Sequence, residues 1–328
     1  MRGYRIAALV TGVMIAATAL PTAAATAATR STVPKVTATI PVGSGPAAIA
    51  VNPLTNRGYV INTRDSSVSV ISGRTDTVIA TVPLEGTLMG IAVNSVTNRV
   101  YVTSTSGGAV LVLDGRTNKL RSTIPVGGAP GGVAVNPVTD TVYVTDQSPG
   151  STTLSVISGR SDTVRDTVTV GHTPGAVDVN PVTGTVYVAN AFDGTVSVIN
   201  GRTDTVTSTV TVGGSVPALA VNPLTRTVYA TSAGFGAFTV AVISGRTNEV
   251  TTSIPVGAFP GPIAVNPITR TAYESIGSDN TLAVIDTATN TVTGSVPVGT
   301  TPFGVAVNPL TRTEYVSNEG DGTVSVLR

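Results

Sequence analysis

The sequence predicts an all-β fold: a seven-bladed β-propeller, four antiparallel strands per blade, with the N-terminal strand completing the last blade. Three observations predict it. A phrase recurs seven times, short β-favouring runs alternate with turn residues, and a strand missing at the C-terminal end reappears at the N-terminal one. The phrase reads apolar-Ala-Val-Asn-Pro, then Thr, then Tyr, and its asparagines are Asn52, Asn94, Asn136, Asn180, Asn222, Asn266 and Asn308. Successive gaps are 42, 42, 44, 42, 44 and 42 residues, the length of one four-stranded blade.

Residues 1–28 read as a cleaved secretory signal peptide: Arg2 and Arg5, an apolar run from Ile6 to Leu20, then small residues with cleavage expected after Ala25, Ala27 or Ala28. Residues 29–34 form a short linker and 35–328 a single propeller domain. In the first repeat the strands are Ile49-Ala50-Val51 (A), Gly58 to Ile61 (B), Val68 to Ile71 (C) and Val78 to Val82 (D), rich in Val, Ile, Thr and Tyr. Between A and B lies Asn-Pro-x-Thr, where Asn can bond the backbone two residues on and Pro presets φ. Between C and D lies Gly-Arg-Thr-Asp. Strand D carries Pro41, Pro83, Pro125, Pro255 and Pro297 at one position; proline cannot donate to a ladder, so D is the outer edge and A the strand nearest the axis.

The chain stops at Val324 to Arg328, a C strand with no D after it, while Val36 to Val42 reads as a D strand with no blade before it. The chain ends therefore pair to shut the ring. Tyr59, Tyr101, Tyr143, Tyr187, Tyr229, Tyr273 and Tyr315 supply one aromatic per blade at one strand B position, which reads as packing.

Composition narrows the function classes. There are 19 Lys and Arg against 18 Asp and Glu, near balance, which gives no support to an electrostatic nucleic-acid binder. With zero cysteines in a chain expected to be exported, burial and ring closure must hold the fold. A single histidine, no cysteine and no Gly-x-Ser-x-Gly leave zinc sites and the common hydrolase elbow without support. The Gly-rich links between blades precede strands instead of helices, so they read as turns and not as phosphate cradles.

The tetrads that begin at the strand B tyrosines, such as Tyr59-Val60-Ile61-Asn62, Tyr143-Val144-Thr145-Asp146, Tyr187-Val188-Ala189-Asn190 and Tyr315-Val316-Ser317-Asn318, resemble the YVTN or YncE-like β-propeller family across nearly the whole expected mature chain. The resemblance implies an extracytoplasmic or surface-associated propeller. Other propellers that look like this one act on cyclic esters, as lactonases or streptogramin lyases do.

The A–B and C–D turns share one face and are near-copies, whereas the B–C loops of the opposite face diverge, and the D–A links open beside them. Varied loops on a rigid scaffold are where binding concentrates, so the expected site is that mouth of the channel. Its candidate residues are Arg64, Asp65, Glu85, Asp146, His172, Asp178, Phe192, Asp193, Phe235, Phe238, Asp279, Glu319 and Asp321. Asp178 stands where the other blades have alanine, and His172 lies in the link leading to it, so the two are the catalytic candidates if they meet. Glu274 and Glu314 also break the repeat, in strand B. No cofactor is expected; calcium among the mouth carboxylates is an alternative, though no spaced set of oxygen ligands is present. The expected function is a secreted or cell-surface module, monomeric and without a membrane span after signal cleavage, that binds a protein or an envelope glycan. The alternative is a lactonase or lyase at the channel mouth.

Overall fold

The computed structural model describes residues 33–234 and 237–328. The expected signal peptide, part of the linker and Phe235 lie outside the described residues.

Among the described residues, twenty-eight strands form seven four-stranded antiparallel sheets, and six of the sheets are built from strands in simple chain order. The seventh combines the last three strands, Pro302–Asn308, Thr313–Asn318 and Thr323–Leu327, with the first described strand, Val36–Pro41. Ile40 pairs with Val324 and Thr39 with Ser325, so the ring is shut by the two chain ends as the sequence predicts. Strand D is the outer edge in every blade, with Pro41, Pro83, Pro125, Pro255 and Pro297 closing five of the seven.

Hydrophobic clusters sit between blades. One joins Tyr59 and Val70 of blade 1 to Val100, Val102 and Leu113 of blade 2. All seven strand B tyrosines are buried, and several of their hydroxyls reach the next blade: Tyr143 Oη donates to the Gly201 carbonyl at 3.4 Å, and Tyr59 and Tyr229 make the same bond to Gly115 and Thr287. Glycine makes room for this approach in several C–D turns, since a Cβ on Gly73 would lie 2.5 Å from Tyr315 Oη and one on Gly201 equally close to Tyr143 Oη, while in blade 6 Thr287 stands there and Tyr229 Oη still donates to its carbonyl at 3.5 Å. Strand pattern, turn glycine and core packing are one device.

The asparagine of the repeated phrase does two jobs. In all seven blades its Oδ1 accepts the N–H groups two and three residues on, the turn bond expected from sequence. Its Nδ2 then reaches the adjacent blade's turn where an acceptor is present: Asn52 to Asn98 and Asn94 to Asp140 at 2.7 Å, Asn308 to Asn56 at 2.8 Å. The acceptors hold a left-handed backbone that Asn and Asp tolerate, φ 51° to 54°. In blades 5 to 7 arginine takes that position (Arg226, Arg270, Arg312), so Asn222 Nδ2 has no partner and Asn266 turns to Glu314 Oε1 at 3.5 Å. Glu314, an irregularity in the sequence, thus stands in for a missing turn acceptor.

The residue after Pro in the same turns, or after Ser95 in blade 2, is always aliphatic and exposed: Leu54, Val96, Val138, Val182, Leu224, Ile268 and Leu310, at 39% to 60% of their full surface. The C–D turns beside them expose Arg74, Arg116, Arg160, Arg202 and Arg246.

Candidate functional site

The loop face is built on a clamp between each B–C loop and the D–A link next to it. Asp65 accepts the Ser44 N–H at 2.6 Å, Asp193 that of His172 at 2.7 Å, and Asp321 that of Thr300 at 2.6 Å. In the same blades Asn62, Asn190 and Asn318 donate Nδ2 to two hydroxyls of strand C, as Asn190 does to Thr195 and Ser197. These carboxylates do more than shape a hairpin: each ties together segments 21 residues apart. The Thr300 hydroxyl and N–H hold the Asp321 carboxyl below its usual range. In blade 3, Asp146 plays the part with Ala129 N–H, Ser148 and Ser151; burial pushes its pKa up, but these bonds outweigh it and the net shift is downward.

His172 and Asp178 do not pair. The His172 ring Nδ1 lies 3.0 Å from Asp193 Oδ1, with Phe192 set edge-on at a ring separation of 6.4 Å. Asp178 accepts the N–H of Val179 and, across the blade joint, that of Val221, both at 2.8 Å. Burial among the packed inner strands pushes its carboxyl up to about 6, and the two N–H donors pull the other way. Elsewhere a strand B hydroxyl stitches the next blade: Thr103 to the Gly131 carbonyl, Thr145 to Gly175, Ser275 to Phe303 and Ser317 to Ala47. Blade 4 has Ala189 at that position, and Asp178 supplies the stitch from the neighbouring strand. The departure from alanine is explained by the ring's own bonding.

Of the other candidates, Arg64 and Glu319 meet at 3.3 Å beside a shallow cleft of about 380 Å³ lined also by Ser44 and Asp321. Glu85 is exposed on its link, and the Asp279 carboxylate accepts the Ser278 hydroxyl at 2.8 Å. Phe238 packs on Phe259 with ring centres 5.8 Å apart. Glu274 is fully buried, and neither carboxyl oxygen has a hydrogen-bond partner. Burial pushes its pKa up to about 8, so the group is chiefly neutral at pH 7.

Sequence reading missed Phe259 and Phe303, which are 72% and 43% exposed beside Phe192 at 81%. The signal was available: the chain has five phenylalanines, and every one falls in a loop-side segment, while tyrosine, valine and isoleucine fill the core. The same face carries all the candidate carboxylates except Asp178 and, among the described residues, one cation, Arg64. No three of its His, Asp or Glu residues gather into a metal-binding group among the described residues.

No family model and no curated protein matches the chain. Among solved structures, Kuenenia stuttgartiensis hydrazine synthase is similar, with a TM-score of 0.78 at 18% sequence identity over 87% of this chain and 95% of that one. The likeness is one of fold.

Proposed function

We propose that the protein is a recognition module that binds an envelope glycan through the loop face, and that residues 1–28 export it to act outside the cell in the manner of YVTN-type propellers. The observation that carries this reading is the placement of phenylalanine. Exposed aromatic rings on a rigid rim stack on the apolar faces of sugar rings, while neighbouring carboxylates accept hydroxyl hydrogen bonds. Phe192, Phe259 and Phe303 offer the rings, and Glu85, Asp279 and Glu319 the acceptors. The clamps beneath them hold the loops in place before a ligand arrives, which lowers the ordering cost of binding.

Co-sedimentation with insoluble peptidoglycan tests the reading. Wild type is expected in the pellet, and Phe192→Ser with Phe259→Ser and Phe303→Ser in the supernatant at an unchanged melting temperature. Equal partition of the two proteins, or no retention of wild type, overturns it. The rival, a lactonase or lyase, would use the exposed His172–Asp193 pair as its acid–base couple. Turnover of a lactone or cyclic depsipeptide that is lost in His172→Ala would replace the binding reading.

A further inference from the structure

The face opposite the loops carries a pattern that its turns do not require. In each A–B turn the aliphatic residue contributes a backbone N–H to the turn asparagine, and its side chain takes no part, so a polar residue would serve the turn equally well. All seven are nonetheless aliphatic and exposed. The strand register before them is the same in every blade, Asn pairing with the first residue of strand B, so the seven tips stand at one height. Bonds between neighbouring turns, such as Asn52 to Asn98 and Asn308 to Asn56, set them side by side as a collar around the end of the channel.

Cations surround the collar. Arg226, Arg270 and Arg312 stand within it, and the five C–D turn arginines stand outside it; all eight are exposed and none forms an ion pair among the described residues. The three inner arginines work against the fold. Each holds a left-handed backbone, φ 54° to 59°, that disfavours a long side chain, and each withholds the acceptor that Asn or Asp gives the neighbouring blade, as the unpartnered Asn222 Nδ2 shows. Local stability does not account for them.

We propose that this face docks on an anionic lipid surface, with the collar entering the boundary between headgroups and acyl chains and the arginines engaging lipid phosphates. Level apolar tips fringed by unpaired guanidinium groups match a flat, negatively charged, apolar-cored partner. A second copy presenting its acidic loop face is the competing occupant. Its loops differ in sequence from blade to blade, and those of blades 3 and 5 in length as well, so they cannot meet seven level tips at once.

Vesicle sedimentation with the full chain tests the proposal, using phosphatidylcholine alone and phosphatidylcholine mixed equally with phosphatidylglycerol. Wild type is expected to pellet with the mixed vesicles and to be released by high salt. The Arg226→Gln, Arg270→Gln, Arg312→Gln variant is expected to partition roughly a hundredfold more weakly, at about fivefold per arginine. A Leu54→Ser, Leu224→Ser, Leu310→Ser variant checks the collar independently of charge and is expected to lose binding while its circular dichroism melt stays that of wild type. Both variants keep residues 1–28, so equal pelleting of all three proteins assigns any binding elsewhere and overturns the proposal. Failure of wild type to pellet does the same. A wild-type oligomer that either variant converts to monomer overturns it in favour of the second copy.

Discussion

At the joint between blades 7 and 1, Asn308 donates to Asn56 at 2.8 Å, Ser317 donates to the Ala47 carbonyl at 2.5 Å, and Arg328 forks onto Asp76 at 2.8 and 3.0 Å. At the joint between blades 5 and 6, Asn222 Nδ2 has no partner and the Thr231 hydroxyl is spent inside its own blade on Ala218. Glu274, on the strand face of Ala272 that packs against Tyr229 and Val240 of blade 5, brings in a carboxyl with nothing to bond. The chain passes through both joints by a link from strand D to the next strand A, because its two ends meet inside blade 7 between strands C and D, yet the first joint is the better bonded. Covalent continuity does not set where a closed ring is strong. The complement of side-chain donors and acceptors between neighbouring sheets does.

The largest effect that would break this comparison is loss of the closing strand. Deleting Lys35 to Gly43 removes a whole edge from blade 7 and is expected to abolish cooperative melting, whereas trimming Arg30 to Pro34 leaves the transition cooperative. Equal thermal melts of the two truncations would show that the closing strand adds nothing.

Next comes the weak joint itself. Replacing Glu274 with valine, the residue at that position in five of the other six blades, is expected to raise stability at neutral pH by a few kcal/mol. The sign follows from the folded pKa of about 8 against an ordinary 4.5. Below about 4.5 the carboxyl is protonated whether the chain is folded or not, so ionisation adds no cost there. As pH rises toward 8 the unfolded chain ionises first, so the wild type loses stability across that window and the valine variant does not. Urea melts of both proteins from pH 4 to pH 9 check this; parallel curves would mean the carboxyl is solvated or paired.

The smallest effect separates two like residues. Asn308→Ala and Asn222→Ala both remove the turn bonds, but only the first also breaks an inter-blade hydrogen bond. Asn308→Ala is expected to cost about 1 kcal/mol more. Chemical denaturation resolves that difference, and equal losses would mean the inter-blade bond is worth nothing.

The seven blades, the order of strands within them, the outer position of the proline strand and the turn asparagines were all legible in the chain. Tyrosine packing was legible too, because a residue repeated once per blade has one environment. The candidate site was legible only in outline. The loop face was identified from its divergent loops, and Phe192 and Asp193 lie there as expected. The pairing of His172 with Asp178 was not found, because the link holding His172 is clamped by Asp193, a residue whose turn-forming role hid its second partner. Glu274 could be seen as irregular but not as unpaired.

Alternation of apolar and polar residues, turn chemistry and proline act over a few neighbouring positions, and their recurrence at a steady period is enough to specify sheets, their number and the strand that shuts the ring. Which side chains meet across a joint is another matter. Asp178 with Val221, His172 with Asp193 and Asn266 with Glu314 join positions 43, 21 and 48 residues apart. Those encounters depend on how closely the inner strands approach around the axis, a distance set by packing seven sheets at once and encoded in no single blade.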